Sequence, residues 1–238
     1  MAKNTGIQWT DHTWNPWQGC RKVSLGCANC YMYRDKHRFN QDPTVVIRSS
    51  RATFTAPLKW KEPAKVFVCS WSDFFIEDAD GWRDEAWEIM RQTPHLIYLL
   101  LTKRPENMAS RLPADWPLKN VWLGVTAENE DMLHKRVPIL LKTKAIKRFV
   151  SIEPMLSPVD LGMDLCESWN TTGLTMGTYL DWVIVGGESG PNPRQMDVRW
   201  AIDIKRQCEE TKTAFFFKQM SGRAEIPESL NVRQFPRP

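Results

Sequence analysis

The sequence lacks any hydrophobic run that approaches the roughly 20 apolar residues of a membrane-spanning helix. Residues 1–5 also contain no apolar signal region. We therefore expect a cytoplasmic protein with no membrane partner. No internal repeat and no interdomain linker interrupts the chain, which predicts a single domain over residues 1–238.

A strong charge of either sign is also missing, since 32 Lys and Arg residues against 28 Asp and Glu residues leave a formal charge of only +4. This balance is compatible with an anionic partner but does not identify one. The chain has six cysteines. In a reducing compartment they indicate metal ligands or buried thiols and not a disulfide framework.

Seven short apolar runs are spaced along the chain, and each of them ends in polar or small residues. Several are apolar throughout, which is typical of strands buried on both faces of a parallel sheet. The predicted strands are residues 7–10, 66–70, 96–102, 121–125, 148–152, 182–185 and 214–217.

Stretches with helical spacing lie between these runs. Residues 84–92 and 197–211 each place apolar side chains on one stripe, and a third helix begins at residue 129 but should be interrupted by Pro138. Alternating strands and helices predict the α/β class, with a partial (β/α) barrel of about six to seven parallel strands. Residues 156–180, rich in Gly, Thr and Ser, predict an irregular insertion.

Polar side chains follow nearly every predicted strand. In parallel α/β folds the loops after the strands build the active site, so these residues are the first candidates for function. They are Ser70, Ser72 and Asp73, then Lys103, Thr126, Glu128, Ser151 and Glu153, and finally Gly186, Gly187, Glu188 and Lys218.

Three of the cysteines, Cys20, Cys27 and Cys30, have C-x6-C-x2-C spacing on a predicted loop over residues 11–38. The C-x2-C part places two thiolates on one turn, and the longer excursion brings in the third. Three ligands suit a 4Fe-4S cluster with one open iron. The spacing also allows structural zinc, with His37 as a fourth ligand, or thiols that bind no metal.

The context of the cysteines adds a family resemblance. Asn15-Pro16-x-x-Gly19-Cys20, followed by Cys27-x-x-Cys30-Tyr31, resembles the cluster loop of radical S-adenosylmethionine (SAM) enzymes, with the spore photoproduct lyase-like branch nearest. Nearly the whole chain is similar to the three-cysteine-motif proteins of phages and prophages, which implies a bacterial host cell. The segments that carry this likeness are 68–75, 101–106, 122–129, 151–154, 182–191 and 217–219.

The resemblance implies a radical-SAM-like domain in which Cys20, Cys27 and Cys30 bind a 4Fe-4S cluster. SAM would chelate the open iron, and an electron donor such as a flavodoxin would supply the electron that cleaves SAM to a 5′-deoxyadenosyl radical. The implied activity is the modification or repair of a nucleic acid or nucleotide. The competing hypothesis is a non-catalytic, zinc-binding nucleic-acid-binding or adaptor protein.

The same resemblance gives the strand-end residues their expected roles. Each role has a structural alternative, such as a helix cap, a surface charge or an ion pair with a basic neighbour. Expected SAM contacts are Ser70, Ser72 and Asp73 to the ammonium, Lys103 to the carboxylate, Thr126 and Glu128 to the ribose, and Ser151 and Glu153 to SAM or substrate. Expected on the substrate side are Gly186, Gly187, Glu188, Arg194 and Lys218, with Arg194 and Lys218 able to meet phosphate or carboxylate.

Three features depart from the common radical SAM pattern. The Gly-Gly-Glu motif for the SAM amino group belongs after the second strand, whereas Gly186-Gly187-Glu188 follows the sixth, so we expect these glycines to let the backbone approach a ligand on the substrate side. The first spacing is C-x6-C where C-x3-C is usual, and Asn29 stands where an aromatic residue commonly precedes the third cysteine.

A basic run over residues 135–148 can follow a nucleic-acid backbone or form a solvated helix face.

Overall fold

The structure is a computed structural model, which describes residues 2–162 and 180–237. The chain divides into two compact units, one of Met1–Gly124 with Lys144–Ile146 and one of Val125–Thr143 with Lys147–Pro238. Residues 163–179, the greater part of the predicted insertion, lie outside the described residues. The expectation of a single domain stays a prediction.

The strands of the first unit begin with four short ones and end with two longer ones. They are β1 (Ala2–Lys3), β2 (His12–Trp14), β3 (Trp17–Gln18), β4 (Ile47–Arg48), β5 (Ala64–Val68) and β6 (Leu96–Thr102). β1 runs antiparallel to β2, while β2, β5 and β6 pair in parallel. β3 and β4 form a separate antiparallel pair.

The second unit contains β8 (Lys147–Ile152), β9 (Trp182–Gly186) and β10 (Ala214–Gln219), which pair in parallel. The boundary between the units falls within β7 (Val121–Thr126). The strand order is β1-β2-β5-β6-β7-β8-β9-β10, in which seven strands run parallel. This order confirms the predicted α/β class and the partial (β/α) barrel topology.

Five α-helices lie in the described residues. They are α1 (Tyr31–Arg38), α2 (Arg51–Phe54), α3 (Asp80–Gln92), α4 (Glu130–Lys142) and α5 (Val198–Thr211). The predicted helices over 84–92 and 197–211 are confirmed as α3 and α5, and Trp87, Met90, Ala201, Ile204 and Cys208 of their stripes are buried. Among the described residues, no helix has the length and apolar character needed to cross a membrane.

The predicted strand at residues 7–10 is wrong. The segment is a turn closed by the Thr10 amide, which donates to the Ile7 carbonyl at 3.3 Å. Its apolar character reflects the burial of Trp9, whose ring lies 4.6 Å from that of Phe67. The first parallel strand is β2 instead, with only three residues.

The predicted interruption at Pro138 is also wrong, because α4 continues through it to Lys142. A proline inside a helix costs about 3 kcal/mol in lost hydrogen bonding and steric clash. Val137, Leu140 and Leu141 around the proline are all buried. Their burial in the core offsets that cost and holds the last turn helical.

Candidate metal and cofactor site

The side chain of Asn15 joins the start of the cysteine loop to the end of β5. Its Oδ1 accepts the Trp71 amide at 2.9 Å, and its Nδ2 donates to the Ser70 hydroxyl at 3.1 Å. The Ser70 carbonyl accepts the Tyr31 hydroxyl. Ser70, a predicted SAM contact, therefore lies beside the cysteine motif, and its polar atoms hold the loop in place.

At Gly19 the chain passes close to another segment. Its φ is +98°, and an added Cβ would lie 2.2 Å from the Val45 carbonyl oxygen. The Gly19 carbonyl accepts the Ser72 hydroxyl at 2.5 Å, and the next amide, that of Cys20, donates to the Pro43 carbonyl at 2.9 Å. Only glycine suits this position, since a side chain would meet both a left-handed backbone and a wall of main chain.

The three cysteines of the motif are half-buried. Cys20 follows β3, Cys27 ends a 3-10 turn, and Cys30 precedes the first residue of α1. The Tyr33 hydroxyl donates to the Cys20 carbonyl at 2.6 Å. Burial raises the pKa of Tyr33, and the charges of Cys20, Cys30 and Cys27 raise it further.

The described residues include no group of three or more His, Cys, Asp or Glu side chains in the geometry that holds a metal ion. His37, the predicted alternative ligand, instead packs its ring at 6.3 Å from that of Tyr33. A 4Fe-4S cluster takes one thiolate at each of three irons and does not gather three side chains on one ion.

Asp73 is buried, and its carboxylate organises the end of β6. Oδ1 accepts the Thr102 hydroxyl at 2.7 Å and the Phe75 amide at 3.0 Å, while Oδ2 accepts the Lys103 amide at 2.9 Å. This carboxylate thus fixes the backbone at Lys103, the residue expected at the SAM carboxylate. Direct contacts of Asp73, Ser72 and Lys103 with SAM stay predictions.

Arg104 is the residue that the sequence-based reasoning missed. It is only 5% exposed, and its Nη1 lies 3.5 Å from the Cys20 sulfur and 3.5 Å from Asp73 Oδ2. Its Nη2 donates to the Arg21 carbonyl at 2.7 Å. Burial and the Asp73 charge raise the pKa of Cys20 to about 11, whereas Arg104 lowers it. The available signal was a cation directly after Lys103 at a strand end, but this pattern is also typical of a solvated surface pair.

In the second unit, Glu128 forms a fully buried ion pair with Arg136. Nη1 of Arg136 lies 2.8 Å from Glu128 Oε2 and also donates to the Thr126 carbonyl at 2.8 Å. Ser151 is buried, and its carbonyl accepts the Ala127 amide at 2.9 Å. The structure thus brings Thr126 and Glu128 together around an internal cation, while Ser151 bonds to the residue between them. Contacts of all three with SAM stay predictions.

Glu153, Gly186 and Lys218 also lie together. The Lys218 ammonium pairs with the Glu153 carboxylate, and both side chains are less than one-fifth exposed. An added Cβ on Gly186 would lie 3.5 Å from the Glu153 carboxyl carbon and 3.4 Å from the Lys218 Cβ. Both are ordinary or slightly tight contacts, so the glycine brings the β9 end close to this ion pair.

Glu188 and Arg194 pair with each other. Arg194 Nη2 lies 2.6 Å from Glu188 Oε1, and the Arg194 amide donates to Oε2 at 2.9 Å. An added Cβ on Gly187 would lie 2.3 Å from the Ser221 amide nitrogen. Gly187 therefore lies against the backbone at Ser221, and the approach of these glycines to a ligand stays a prediction.

The basic run over residues 135–148 does not form one continuous exposed surface. Arg136 is buried against Glu128, and Arg148 is buried with its guanidinium donating to the Thr143 carbonyl at 2.8 Å. Lys147 lies 3.3 Å from Asp181. Lys135, Lys142 and Lys144 are exposed.

Comparisons with known proteins add one finding. Residues 4–232 match the model of a family described as "Protein of unknown function (DUF5131)". The search of curated proteins and the search of solved structures each gave no match. The likeness to radical SAM enzymes and to phage proteins thus remains a resemblance.

Proposed function

The chain belongs to the DUF5131 family, and from its own residues we propose that it is a radical SAM enzyme. It binds a 4Fe-4S cluster through Cys20, Cys27 and Cys30 and cleaves SAM to a 5′-deoxyadenosyl radical, which modifies or repairs a nucleic acid or nucleotide. The observation that carries this proposal is a buried guanidinium, that of Arg104, placed against a sulfur of the three-cysteine loop.

The donor set suits such a cluster. Three half-buried thiols on one loop supply three thiolate ligands and leave a fourth position for SAM. Thiolates need nearby positive charge when they leave water, and Arg104 supplies it as a group that cannot lose its proton. When bound, the cluster supplies the electron for reductive cleavage of SAM.

The remaining residues bind and orient. We assign Lys103, whose backbone Asp73 holds, to the carboxylate of SAM, and Ser70 and Ser72 to the wall beside its ammonium. In the second unit, the buried Glu128–Arg136 pair holds the backbone that follows β7. These assignments follow the resemblance to radical SAM enzymes.

Anaerobic purification and reconstitution with iron and sulfide tests the cluster. The wild-type protein should turn brown, and with dithionite and SAM it should produce 5′-deoxyadenosine. Cys30→Ala should give none, while Cys208→Ala, which removes a buried thiol of α5, should retain the product. A colourless protein with stoichiometric zinc would establish the competing zinc-binding function instead.

The substrate is tested by isotope transfer. SAM turnover in the presence of deuterated DNA, RNA or nucleotides should place deuterium in 5′-deoxyadenosine for the true substrate class. A protein that forms 5′-deoxyadenosine but takes deuterium from none of these pools, and takes it from a peptide or other metabolite, would contradict the nucleic-acid assignment.

A further inference from the structure

Arg104 is unusually placed for a residue on a loop. Arg104 is about 5% exposed, and its guanidinium lies near three groups: the Cys20 sulfur, the Asp73 carboxylate and the Arg21 carbonyl. Two of these partners come from the cysteine segment, more than 80 positions earlier in the chain. The side chain therefore joins the end of β6 to the cysteine loop.

The Asp73 carboxylate fixes the direction of this guanidinium. Because Asp73 also accepts from the Lys103 amide and the Thr102 hydroxyl, it has little freedom to move. The Arg104 amide donates to the Thr102 hydroxyl at 2.8 Å, which fixes the backbone as well. An N–H group is thus aimed at one defined sulfur by a rigid shell.

A fixed cation beside a ligand sulfur has a direct electrostatic consequence. Reduction adds one electron to a cluster, and a nearby positive charge stabilises the more negative state. Hydrogen bonds to the ligating sulfurs act in the same direction, and both are recognised controls of cluster potential. Burial strengthens the effect, because little water screens the charge.

We propose that Arg104 raises the reduction potential of the cluster by holding its guanidinium against Cys20, and so determines how readily the cluster accepts an electron. This inference rests on the proposed function, since it requires the cluster to bind. Arg104 acts through a ligand sulfur and is therefore a tuning residue and not a catalytic one. The only redox step involved is the transfer of one electron from the reductant to the cluster.

The test is a redox titration of the reconstituted full chain, followed by electron paramagnetic resonance. Arg104→Met removes the charge at similar length and should lower the midpoint enough to shift the one-electron equilibrium at least tenfold, or about 59 mV. Arg104→Lys keeps the charge but loses the fork that spans Cys20 and Arg21, so its midpoint should fall by less. Arg91→Met, which removes a surface cation paired with Asp115, is the matched control and should titrate like wild type.

The outcomes separate the two proposals. A wild-type chain that takes up no cluster overturns the proposed function and this inference with it. A cluster of unchanged potential in Arg104→Met overturns this inference alone. Where Arg104→Met holds no cluster, Arg104→Lys decides: a lower midpoint supports the inference, and a wild-type midpoint overturns it.

Discussion

At the scale of single residues, burial distinguishes ion pairs that affect the stability of the fold from ion pairs that stay solvated at the surface. Glu128 and Arg136 are buried at 0% and 3% side-chain exposure, whereas Arg206 and Glu210 of α5 pair in solvent at 57% and 39%. Both pairs have short N–O contacts. Only the first has lost its water, so only there does removal of one partner leave a charge in a poorly solvated site.

We expect Arg136→Met to lower the free energy of unfolding by about 3–5 kcal/mol, because it removes the cation that offsets the buried Glu128 carboxylate. Urea denaturation followed by tryptophan fluorescence measures this. Arg206→Met, the exposed control, should leave the denaturation midpoint nearly unchanged. Equal losses in the two variants would contradict the argument.

Two glycines give a second matched comparison at this scale. Gly187→Ala places a Cβ 2.3 Å from the Ser221 amide nitrogen, while a Cβ on Gly6 would meet nothing within 4 Å. We expect a loss of about 1–3 kcal/mol in Gly187→Ala from the forced backbone shift, and less than about 0.5 kcal/mol in Gly6→Ala. Thermal unfolding of both variants checks this, and a fully stable Gly187→Ala would show that the Ser221 segment yields at no cost.

At the scale of elements, the start of α5 shows how a helix end responds to pH. Asp197 precedes the helix and accepts the Arg199 amide at 2.9 Å, and its carboxylate also pairs with the Arg199 guanidinium. These bonds lower the pKa of Asp197 to about 2, and the bond from the Arg199 side chain contributes more than the bond from the Arg199 amide. The folded state therefore holds the charged form more strongly than the unfolded chain does.

A lowered pKa in the folded state contributes stability above the unfolded pKa of about 4 and loses it as the pH falls towards 2. Wild-type protein should therefore lose stability more steeply over that range than Asp197→Asn, which keeps a capping oxygen but does not titrate. Thermal unfolding across this pH range measures both slopes. Parallel profiles would show that the Asp197 charge adds nothing to the helix end.

The long elements could be predicted from the sequence, and the short ones could not. Each strand from β5 to β10 overlaps a predicted apolar run, because strands buried on both faces are mainly apolar. β1 to β4 have two or three residues each, too few to establish a period, and the buried Trp9 made a turn resemble a strand. The rule that proline interrupts a helix predicted a break at Pro138 that does not occur, because tertiary packing outweighs this local preference.

The candidate site divides in the same way. Parallel strands place their carboxyl ends on one edge, so the order of the chain alone identified Asp73, Lys103, Glu128 and Glu153 as strand-end residues. The partners of those residues depend on side-chain directions across distant segments. The approach of Arg104 to Cys20 and of Lys218 to Glu153 leaves no local pattern in the sequence.

At the scale of the whole molecule, the formal charge is only +4, and the basic residues over 135–148 do not form one positively charged surface. Arg136 and Arg148 are buried. The two lysines of α4, Lys135 and Lys142, face solvent. If a nucleic acid is the substrate, those two lysines are the members of α4 able to meet phosphates.

Binding to a short DNA duplex over a salt series tests this. Each neutralised phosphate contributes about 0.9 to the slope of log affinity against log salt. Lys135→Gln with Lys142→Gln should reduce the slope by up to about 2, while Lys119→Gln, another exposed lysine, should leave it unchanged. An unchanged slope in the double variant would remove α4 from the contact surface.

Gly19 passes close to Val45, and the Cys20 amide donates to the Pro43 carbonyl. These contacts determine whether the cysteine motif can fold when it is transferred to another protein. A synthetic peptide of residues 11–38 contains every cysteine of the motif but not the wall against which it folds. Grafting the motif into another scaffold therefore requires the chain to at least Arg48, where β4 ends, together with a substitute for Arg104. The smallest transplantable unit is thus set by backbone contacts and not by the spacing of the sulfurs.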